Sequence, residues 1–336
     1  MERDPFDPRS GSGRSRDEPR RCVVTGVAGF IGSRLASRLV QEGWMATGID
    51  GFTDSYDPVE KVMRAARLVR TTGISLKVGD LVDLDLVRAF AGAEVVFHLA
   101  GRAGVRASFA DVGRYEHDNI VATSKVLAAA RAAGVRRVVF ASSSSVYGDG
   151  ETPFREDAVP APISPYGRTK LEAEQLCLAA TGPDLEAVAL RYFTVYGPGQ
   201  RPDMGLRLFT EAALTGRPIT LLGDGTQRRD FTYVCDIVTA TVAAADAPVS
   251  GLAVNVGGGS DISLAEVFDL LRSFVGIDLD IVTAPFARGD VRVTAADLSR
   301  ARSLLGFEAQ VPFATGLERE VAWIRERLDR REVRSA

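Results

Sequence analysis

Short apolar runs rich in β-branched residues alternate with longer amphipathic segments from Arg21 onward. The runs that predict buried strands are CVVTG (22–26), WMATGID (44–50), LKVGD (76–80), EVVFHLA (94–100), RRVVFASS (136–143) and EAVALRYF (186–193). The amphipathic segments between them predict helices near 33–43, 84–91, 115–133 and 165–181. Strands separated by helices of this length form right-handed βαβ units, so we expect a doubly wound parallel sheet with helices on both faces.

The second half of the chain has a less regular pattern. The segment RYFTVYGPGQRPDMG is rich in glycine and proline and predicts a loop. Beyond it, the predicted strands are ITLL (219–222), LAVNV (252–256) and LDIVTA (279–284), and the predicted helices lie near 205–215, 234–245, 263–273 and 312–328. We therefore expect a smaller C-terminal α/β lobe, partly interleaved with the first domain.

These patterns also give domain boundaries. We expect the first domain to span 21–192 and to regain 231–256, because FTYVCDIVTATVAAA is apolar enough to return to the main sheet. The second lobe would then comprise 193–230 and 257–330. Residues 1–20 are charged and rich in glycine, serine and proline, without the apolar stretch of a signal peptide, and predict a disordered leader.

Composition limits the possible classes of protein. Of the 336 residues, 46% are hydrophobic and 25% are charged, as in ordinary globular proteins. The formal net charge of −3 gives no reason to expect a nucleic-acid partner. Three widely separated cysteines without a CxxC motif argue against a disulfide framework and a metal site. The same cysteine pattern indicates a reducing, intracellular setting, so a cytoplasmic protein is expected. No apolar run approaches the ~20 residues of a membrane span.

A glycine motif follows the first predicted strand and opens the first predicted helix. It consists of Gly26, Gly29 and Gly32, with Phe30 and Ile31 between the last two. Glycines at such a turn let the backbone approach a pyrophosphate, which the N-terminus of the helix then faces. Three glycines at this spacing alone could bind a flavin or NAD or form a plain packing turn, but the strand–turn–helix context predicts a Rossmann-type dinucleotide site.

Residues at the ends of the next strands fit the same site. Asp50, about 20 residues after the motif, is placed to accept hydrogen bonds from the adenosine ribose, with a plain turn aspartate as the alternative. Its carboxylate would repel the extra phosphate of NADP, and no arginine follows closely, so NAD is the predicted cofactor. Further predicted cofactor contacts follow the third and fourth strands: Asp80, Leu81, Leu99, Ala100 and Gly101.

Tyr166 and Lys170 form a YxxxK pair on the predicted helix 165–181. Residues i and i+4 share one helix face, so the phenol and the ammonium point into the same space. The ammonium and the positive nicotinamide ring favour the phenolate, which makes Tyr166 a usable base near neutral pH. Ser143 ends the preceding strand, at the sheet edge where open α/β sheets bind ligands. A YxxxK pair arises by chance on exposed helices, but with the serine and the glycine motif it favours a catalytic centre.

These motifs resemble the extended short-chain dehydrogenase/reductase superfamily, specifically its nucleotide-sugar epimerases and dehydratases, from about Arg21 to Leu328. The resemblance lies in TGVAGFIGSRL, HLAG, ASSSSVYG, SPYGRTKLEAE, RYFTVYGPGQRPDM, GDGTQRRDFTYV and ARGD. It implies that Ser143, Tyr166 and Lys170 form a catalytic triad. It further implies that Asn119 helps to position the lysine and that Tyr192 lies at the cofactor.

The same resemblance implies a site for the nucleotide. Arg229 and Arg288 would grip the diphosphate, in keeping with the bidentate chemistry of arginine, and Asp290 would contact the ribose. A solvated surface charge is the alternative for each arginine.

The resemblance also implies a reaction, in which NAD takes a hydride from C4 of the sugar to give a 4-keto intermediate. Relatives that dehydrate the sugar carry an Asp-Glu pair directly after the catalytic serine or threonine. Relatives that decarboxylate UDP-glucuronate carry a glutamate at the second of these positions. Here the two positions hold Ser144 and Ser145, which cannot take over carboxylate chemistry, so 4-epimerisation is the expected outcome.

The run TVYGP…RPDM resembles UDP-glucuronate 4-epimerases more than UDP-glucose 4-epimerases, which usually have asparagine where Thr194 stands. By that resemblance Thr194, Arg201, Ser144 and Ser145 surround the C5 carboxylate, and Arg106 lies near the sugar. A carboxylate held out of line with the C4 carbonyl would protect a 4-keto uronic acid from losing carbon dioxide. A salt bridge to a surface acid is the alternative for Arg201.

We therefore predict 4-epimerisation of UDP-glucuronate to UDP-galacturonate. A 4-epimerase of UDP-glucose, UDP-galactose or another nucleotide-sugar is the alternative. A decarboxylase, a 4,6-dehydratase and a silent NAD-binding scaffold are less favoured. Members of the family usually dimerise through helices like 115–133 and 165–181, so a homodimer is expected.

Overall fold

The computed structural model describes residues 19–335, and a seven-stranded sheet with every strand parallel to its neighbours lies at its centre. Across the sheet the strands are β11 (Leu252–Val256), β6 (Glu186–Tyr192), β5 (Arg137–Ser143), β4 (Val95–His98), β1 (Arg21–Thr25), β2 (Met45–Asp50) and β3 (Ser75–Val78). The strand order reverses between β1 and β4. Ligands of open α/β sheets bind beyond the carboxyl ends of the strands at such a point.

Each strand sends alternate side chains to opposite faces of the sheet, because successive residues of a strand point to opposite sides. In β1, Cys22 and Val24 enter one hydrophobic core, whereas Val23 enters the other. Since both faces are buried, the strands have continuous apolar sequences and not an alternation of apolar and polar residues.

Helices cover both faces. On the face of Val24 lie α1 (Phe30–Gln41), α2 (Pro58–Thr72), α8 (Val234–Ala243) and α10 (Ser299–Leu305). On the opposite face lie α3 (Leu86–Phe90), α5 (Ala122–Ala132) and α6 (Pro165–Ala179). The short α4 (Val112–Glu116) continues into α5 through a π-helical turn, His117–Val121. This arrangement confirms the predicted doubly wound α/β fold.

Local sequence fixes where several helices begin. Ser164 caps α6 by accepting a hydrogen bond from the Gly167 N–H, and Pro165 takes the first position, where no N–H is needed. In contrast, Gly29 at the start of α1 supplies no side-chain cap, and the first turn contains no acidic residue. The first N–H groups of α1 can therefore bind an anionic ligand.

The smaller lobe has its own hydrophobic core. Its helices are α7 (Gly205–Leu214), α9 (Leu264–Val275) and α11 (Phe313–Ser335). They pack against parallel pairs formed by β8 (Ile219–Leu222) with β13 (Ile281–Ala284), and by β7 (Thr194–Tyr196) with β10 (Phe231–Tyr233). The short β9 (Arg228–Arg229) and β12 (Ile262–Ser263) form an antiparallel pair.

Some elements differ from the predicted pattern. The pattern predicts neither α2 nor α10, and β7 occupies part of the segment that was expected to be a loop. From the apolar segment 231–256, β11 joins the edge of the main sheet, whereas β10 pairs with β7 outside it. Residues of α10 and Phe307, although late in the chain, pack into the core of the main sheet.

Arg20 anchors the N-terminal end of the described chain. It donates to Glu94 (Nη2–Oε1 2.7 Å) and to Asp246 (Nη1–Oδ2 2.6 Å), and its guanidinium lies 3.8 Å from the ring centroid of Trp44. Of the predicted leader, residues 1–18 lie outside the described residues, whereas Arg20 belongs to the folded protein. Within 19–335, no helix is long and apolar enough to cross a bilayer.

Candidate active site

A cavity of about 810 Å³ opens at the carboxyl ends of the parallel strands. The segments that follow the first six strands of the sheet reach it, and α6 and residues 201–208 complete its wall. Every predicted site residue lines this cavity except Asn119, Arg229 and Arg288. The fold thus brings the predicted cofactor, catalytic and sugar residues to one place.

The glycine turn after β1 lies against the backbone that follows β4. Gly26 has a φ of +69°, and a Cβ added there would stand 2.7 Å from the Ala100 nitrogen. Only glycine satisfies both conditions, because the left-handed conformation disfavours other residues and the neighbouring backbone leaves no room. The close contact opens the space in front of α1, where a pyrophosphate fits its N-terminus.

Asp50 is fixed at the edge of this space by backbone groups. Its Oδ2 accepts a hydrogen bond from the Ala28 N–H (2.8 Å), and its Oδ1 accepts one from the Phe52 N–H (2.9 Å). Each carboxylate oxygen has a second lone pair, which can accept from a ribose hydroxyl. The glycine turn, the uncapped helix and this held carboxylate together fit a dinucleotide such as NAD.

Lys61, to which the sequence pattern assigns no role, lines the same part of the cavity. Its Nζ donates to the Thr53 carbonyl (2.6 Å), the Thr53 Oγ1 (3.1 Å) and the Ser55 Oγ (3.0 Å). Burial lowers the pKa of Lys61, and the Asp50 carboxylate opposes that shift. Lys61 therefore orders the loop after β2. The sequence does carry a signal for the helix on which Lys61 lies: Asp57 caps α2 and Pro58 is its first residue.

Arg102 joins that loop to the π-helical turn. Its Nε donates to Asp118 Oδ2 (2.8 Å), and its Nη2 donates to Asp54 Oδ1 (3.0 Å). Arg102 and Asp118 also line the cavity, although the sequence pattern does not single them out. The ion pairs hold three separate segments together at one side of the cavity.

Ser143, at the end of β5, and Tyr166, in the first turn of α6, meet in the cavity. The Ser143 Oγ accepts from the Ser145 N–H (3.1 Å). Burial raises the pKa of Tyr166, whereas the hydrogen bond with Ser143 and the positive charge of Arg201 act in the opposite direction. The serine and the arginine therefore both favour the phenolate, which is the form that can accept a proton.

Lys170 lies one turn further along α6 and is buried. Its Nζ stands 4.2 Å from the ring centroid of Phe140, where the ring face attracts a cation. Burial lowers the pKa of Lys170 to about 7, and the carboxylate of Glu174 opposes this shift. The lysine therefore depends on its surroundings to remain an ammonium.

Asn119 lies behind these residues, in the π-helical turn. Its Oδ1 accepts from the Arg102 N–H (2.7 Å), and its Nδ2 donates to the Thr169 Oγ1 (2.9 Å). Thr169 directly precedes Lys170, so the amide fixes the turn of α6 that carries the lysine. The extra residue of a π turn changes the direction of the side chains there, a common device at functional sites.

A buried chain of hydrogen bonds connects that turn to the glycine turn. Thr123 Oγ1 donates to the Asn119 carbonyl (2.6 Å) and therefore accepts from His98 Nε2 (3.0 Å). The other ring nitrogen, Nδ1, accepts from Thr25 Oγ1 (2.8 Å), which in turn accepts from the Ala100 N–H (3.2 Å). Burial lowers the pKa of His98 to about 3, so the ring is neutral and its proton is on Nε2.

The sugar end of the cavity contains one arginine from the loop after β7. Arg201 donates from Nε to Asp203 Oδ1 (3.0 Å) and from Nη2 to Asp203 Oδ2 (2.8 Å). Asp203 thus occupies one edge of the guanidinium, and Nη1 remains for a second acceptor. Ser144, Ser145 and Thr194 line the same cavity, and Ser144 and Ser145 carry hydroxyl groups at the two positions where dehydration or decarboxylation would need carboxylates.

The predicted nucleotide residues lie at the border of the cavity. Arg229 donates from Nη2 to Asp290 Oδ1 (2.6 Å), and Asp290 lines the cavity. The Arg288 guanidinium lies 4.5 Å from the ring centroid of Phe109. The two arginines therefore contact an acidic and an aromatic side chain, and only the acid faces the cavity directly.

Comparison with protein families gives a match to the NAD dependent epimerase/dehydratase family over residues 22–257. Among curated proteins, the chain is 38% identical over 315 residues to the UDP-glucuronate 4-epimerase of Thermodesulfobacterium geofontis. That alignment covers 91% of this chain and 97% of the relative.

Solved structures give the same result. The UDP-glucuronic acid 4-epimerase of Bacillus cereus, in complex with UDP-glucuronic acid and NAD, aligns with a TM-score of 0.88 at 35% identity. The alignment covers 91% of this chain and 99% of that one. MoeE5, in complex with UDP-glucose and NAD, aligns with a TM-score of 0.82 at 40% identity, over 92% of this chain and 99% of the other.

Proposed function

The chain belongs to the NAD dependent epimerase/dehydratase family, and on this premise we propose that it converts UDP-glucuronate to UDP-galacturonate by 4-epimerisation. It is an NAD-dependent nucleotide-sugar 4-epimerase. The relative from T. geofontis and the B. cereus structure are both named as UDP-glucuronate 4-epimerases. The arrangement of the site supports the same sugar independently of these names.

The observation that carries the choice of sugar is the position of Arg201. Its guanidinium lines the same cavity as Ser143 and Tyr166, and its positive charge opposes the rise that burial causes in the pKa of the Tyr166 phenol. A uronate carboxylate on C5 is adjacent to C4, the reacting carbon, so its partner must lie near the catalytic base. Arginine binds carboxylates with two parallel hydrogen bonds, which fixes their orientation.

The first half of the reaction uses the tyrosine as a base. The Tyr166 phenolate takes the proton of the C4 hydroxyl while the C4–H bond breaks. The Ser143 hydroxyl donates a hydrogen bond to the same C4 oxygen. The Lys170 ammonium stabilises the phenolate, because its positive charge favours the ionised form of the phenol. Bound NAD supplies the acceptor for the C4 hydride and returns the hydride later.

The second half reverses these steps on the opposite face of the sugar. The 4-keto sugar turns within the cavity while its nucleotide stays bound, and Tyr166 returns the proton to the C4 oxygen. While the 4-keto sugar forms, Arg201 and the hydroxyls of Ser144, Ser145 and Thr194 hold the C5 carboxylate. A carboxylate held out of line with the carbonyl π system does not leave as carbon dioxide, so the carbon skeleton stays intact.

A neutral-sugar 4-epimerase is the second candidate. The chain is 36% identical over 313 residues to the UDP-glucose 4-epimerase of Mycolicibacterium smegmatis, and MoeE5 is solved in complex with UDP-glucose as well as with UDP-glucuronic acid. In addition, Asp203 already neutralises part of the charge of Arg201, which would reduce the cost of binding a sugar without a carboxylate. Residual activity with UDP-glucose is therefore expected, at a lower kcat/KM than with UDP-glucuronate.

The two candidates differ in one experiment. Purified protein is incubated separately with UDP-glucuronate and UDP-glucose, and the products are identified by ¹H NMR while absorbance at 340 nm is followed. We expect UDP-galacturonate to form without net NADH, because the hydride is returned. Accumulation of free NADH would indicate a plain dehydrogenase, and a faster reaction with UDP-glucose would favour the neutral-sugar enzyme.

We further propose the organisation of the whole protein. Residues 21–192 and 231–256 would hold NAD, and 193–230 with 257–330 would hold the nucleotide-sugar, except that α10 supports the first unit. The family resemblance supports a homodimer through the helices at 115–133 and 165–181, which light scattering would test. The cysteine pattern supports a cytoplasmic location.

A further inference from the structure

A buried ion pair lies directly behind the catalytic residues. Glu174 is one helical turn after Lys170 on α6, and only 1% of its surface is exposed. Its carboxylate accepts from Arg191 Nη2 (2.6 Å to Oε1) and Nε (3.1 Å to Oε2), and from the Ser142 hydroxyl (2.5 Å to Oε2). Ser142 precedes the catalytic Ser143, so one carboxylate connects α6 to β5 and β6.

The pair extends to a fourth element. Arg191 Nη1 donates to the Tyr147 hydroxyl (2.8 Å), and that hydroxyl donates to Asn255 Oδ1 (2.7 Å) on β11. The guanidinium also lies 4.8 Å from the ring centroid of Tyr147. All the hydrogen-bonding groups are partnered, as a buried network requires. A salt bridge at this depth is not needed for stability alone, since apolar residues often serve as well.

The groups around Lys170 show which of them can supply a negative charge near the buried lysine. Within the described chain, the titratable groups that act on Lys170 are His98 on β4 and Glu174 and Cys177 on α6, and Tyr166 lies one turn before it on the same helix. His98 is neutral, and burial raises the pKa of Cys177 to about 12, so that thiol is neutral as well. Tyr166 gains a negative charge only as a phenolate. Glu174 is therefore the permanent negative charge among these groups, and the Arg191 cation on β6 is its ion-pair partner.

We propose that Glu174 is a positioning residue that acts through Lys170. Held by Ser142 and Arg191, its carboxylate sets α6 against β5 and keeps the Lys170 side chain an ammonium at the pH of the reaction. The inference rests on the proposed catalytic role of Lys170, but its test does not need the substrate.

The chain has four lysines, Lys61, Lys77, Lys125 and Lys170, so its lysine side chains can be followed individually. Full-length protein is labelled with ¹³Cε-lysine, the Lys170 signal is assigned by its loss in Lys170→Arg, and its ionisation is titrated by NMR. In Glu174→Gln the midpoint should fall by about one pH unit or more, because a negative charge one helical turn away is removed and the Arg191 cation loses its partner. Glu186→Gln, at the other end of β6, is the matched control and should leave the midpoint unchanged.

Glu174→Gln leaves the buried Arg191 cation without its partner, so this variant could fail to fold. A second variant tests the proposal without that charge. Glu174→Gln/Arg191→Met removes both charges, a change that buried pairs often tolerate. The double variant should also lower the pH midpoint of Lys170 ionisation. A wild-type midpoint in either folded variant would overturn the proposal.

Kinetics separate positioning from simple structural support. With UDP-glucuronate, Glu174→Gln should move the high-pH limb of kcat downward in pH and change KM little. Uniform loss of activity at every pH, with an unmoved limb and an unmoved NMR midpoint, would assign Glu174 to the core alone. A lowered midpoint without turnover of UDP-glucuronate by the wild type would support the role of Glu174 and contradict the proposed substrate.

Discussion

Asn119 Oδ1 lies 2.8 Å from the position that a Cβ on Gly101 would occupy, and the same Cβ would stand 3.9 Å from Lys170 Nζ. The loop after β4 can therefore lie this close to the π-helical turn and to Lys170 only because residue 101 has no side chain. The hydrogen bond from the Arg102 N–H to Asn119 Oδ1 depends on this close approach. The contact couples the cofactor side of the cavity to the catalytic side.

Gly101→Ala should damage both sides at once. The methyl group would displace the Asn119 amide, at a cost of about 1–3 kcal/mol for overpacking. We expect less NAD in the purified protein and lower turnover, measured by cofactor release on denaturation and by the NMR assay. Gly182→Ala is the control, because an added Cβ meets no atom within 4 Å there. Normal NAD content and activity in Gly101→Ala would mean that the loop moves freely.

Tyr166→Phe should remove most turnover and leave cofactor binding nearly intact. Loss of a general base costs about 10²–10⁴ in rate, whereas the glycine turn and Asp50 do not involve the phenol. The measurements are kcat with UDP-glucuronate and the NAD content of the same preparation. Near-normal kcat in this variant would transfer the role of base to another group.

Lys61→Met should weaken NAD binding without changing the chemical step. Lys61 orders the loop after β2 through three hydrogen bonds, and that loop borders the Asp50 region of the cavity. We expect activity that depends on added NAD and recovers when NAD is saturating. Lys77→Met, on the exposed side of β3, is the matched control and should behave as wild type. Low activity at saturating NAD would instead place Lys61 in the reaction itself.

Glu320 should make stability depend on pH. Burial raises the pKa of Glu320 from its ordinary 4.5 to about 8, although the Gly197 N–H donates to its Oε2 (3.0 Å). The folded state thus holds a proton that the unfolded state loses, so this stabilisation is complete below pH 4.5 and is lost as pH rises through about 8. The slope is at most about 1.4 kcal/mol per pH unit.

Urea unfolding of wild type and Glu320→Gln at several pH values between 5 and 8.5 measures this effect. The free energy of unfolding of the variant should vary less over this range. Glu318→Gln, exposed on the same helix, should retain the wild-type slope. Equal slopes in wild type and Glu320→Gln would show that the buried carboxyl is already ionised.

Most of the main sheet could be predicted because its strands are buried on both faces and therefore have long apolar sequences. Helix α2 was missed because its sequence is largely polar: the helix buries only Lys61, Ala65 and Leu68. Its other apolar residues, Val59, Val62 and Met63, are exposed. The helix α10 spans only seven residues, too few for a periodic pattern to appear. Strand β7 is short and lies in a glycine- and proline-rich segment whose composition predicts a loop.

In the candidate site, too, the sequence predicts some residues and misses others. Residues such as Ser143 and Tyr166 could be predicted because their role depends on local spacing and strand ends. Partners that meet only in the folded chain could not: Arg102 with Asp54, and Glu174 with Arg191, are distant in sequence and carry no local pattern.

The central claim is that Arg201 binds the carboxylate of a uronate, and the most direct measurement is kcat/KM of Arg201→Ala for UDP-glucuronate and for UDP-glucose. Arg155→Ala, whose side chain is 64% exposed outside the cavity, is the control. We expect the value for UDP-glucuronate to fall roughly 10–200-fold, since a hydrogen bond to a charged group contributes about 1.5–3 kcal/mol. Activity with UDP-glucose should change little, and some UDP-pentose should form from the unrestrained carboxylate. Equal losses with both sugars would contradict the claim and favour a neutral-sugar epimerase.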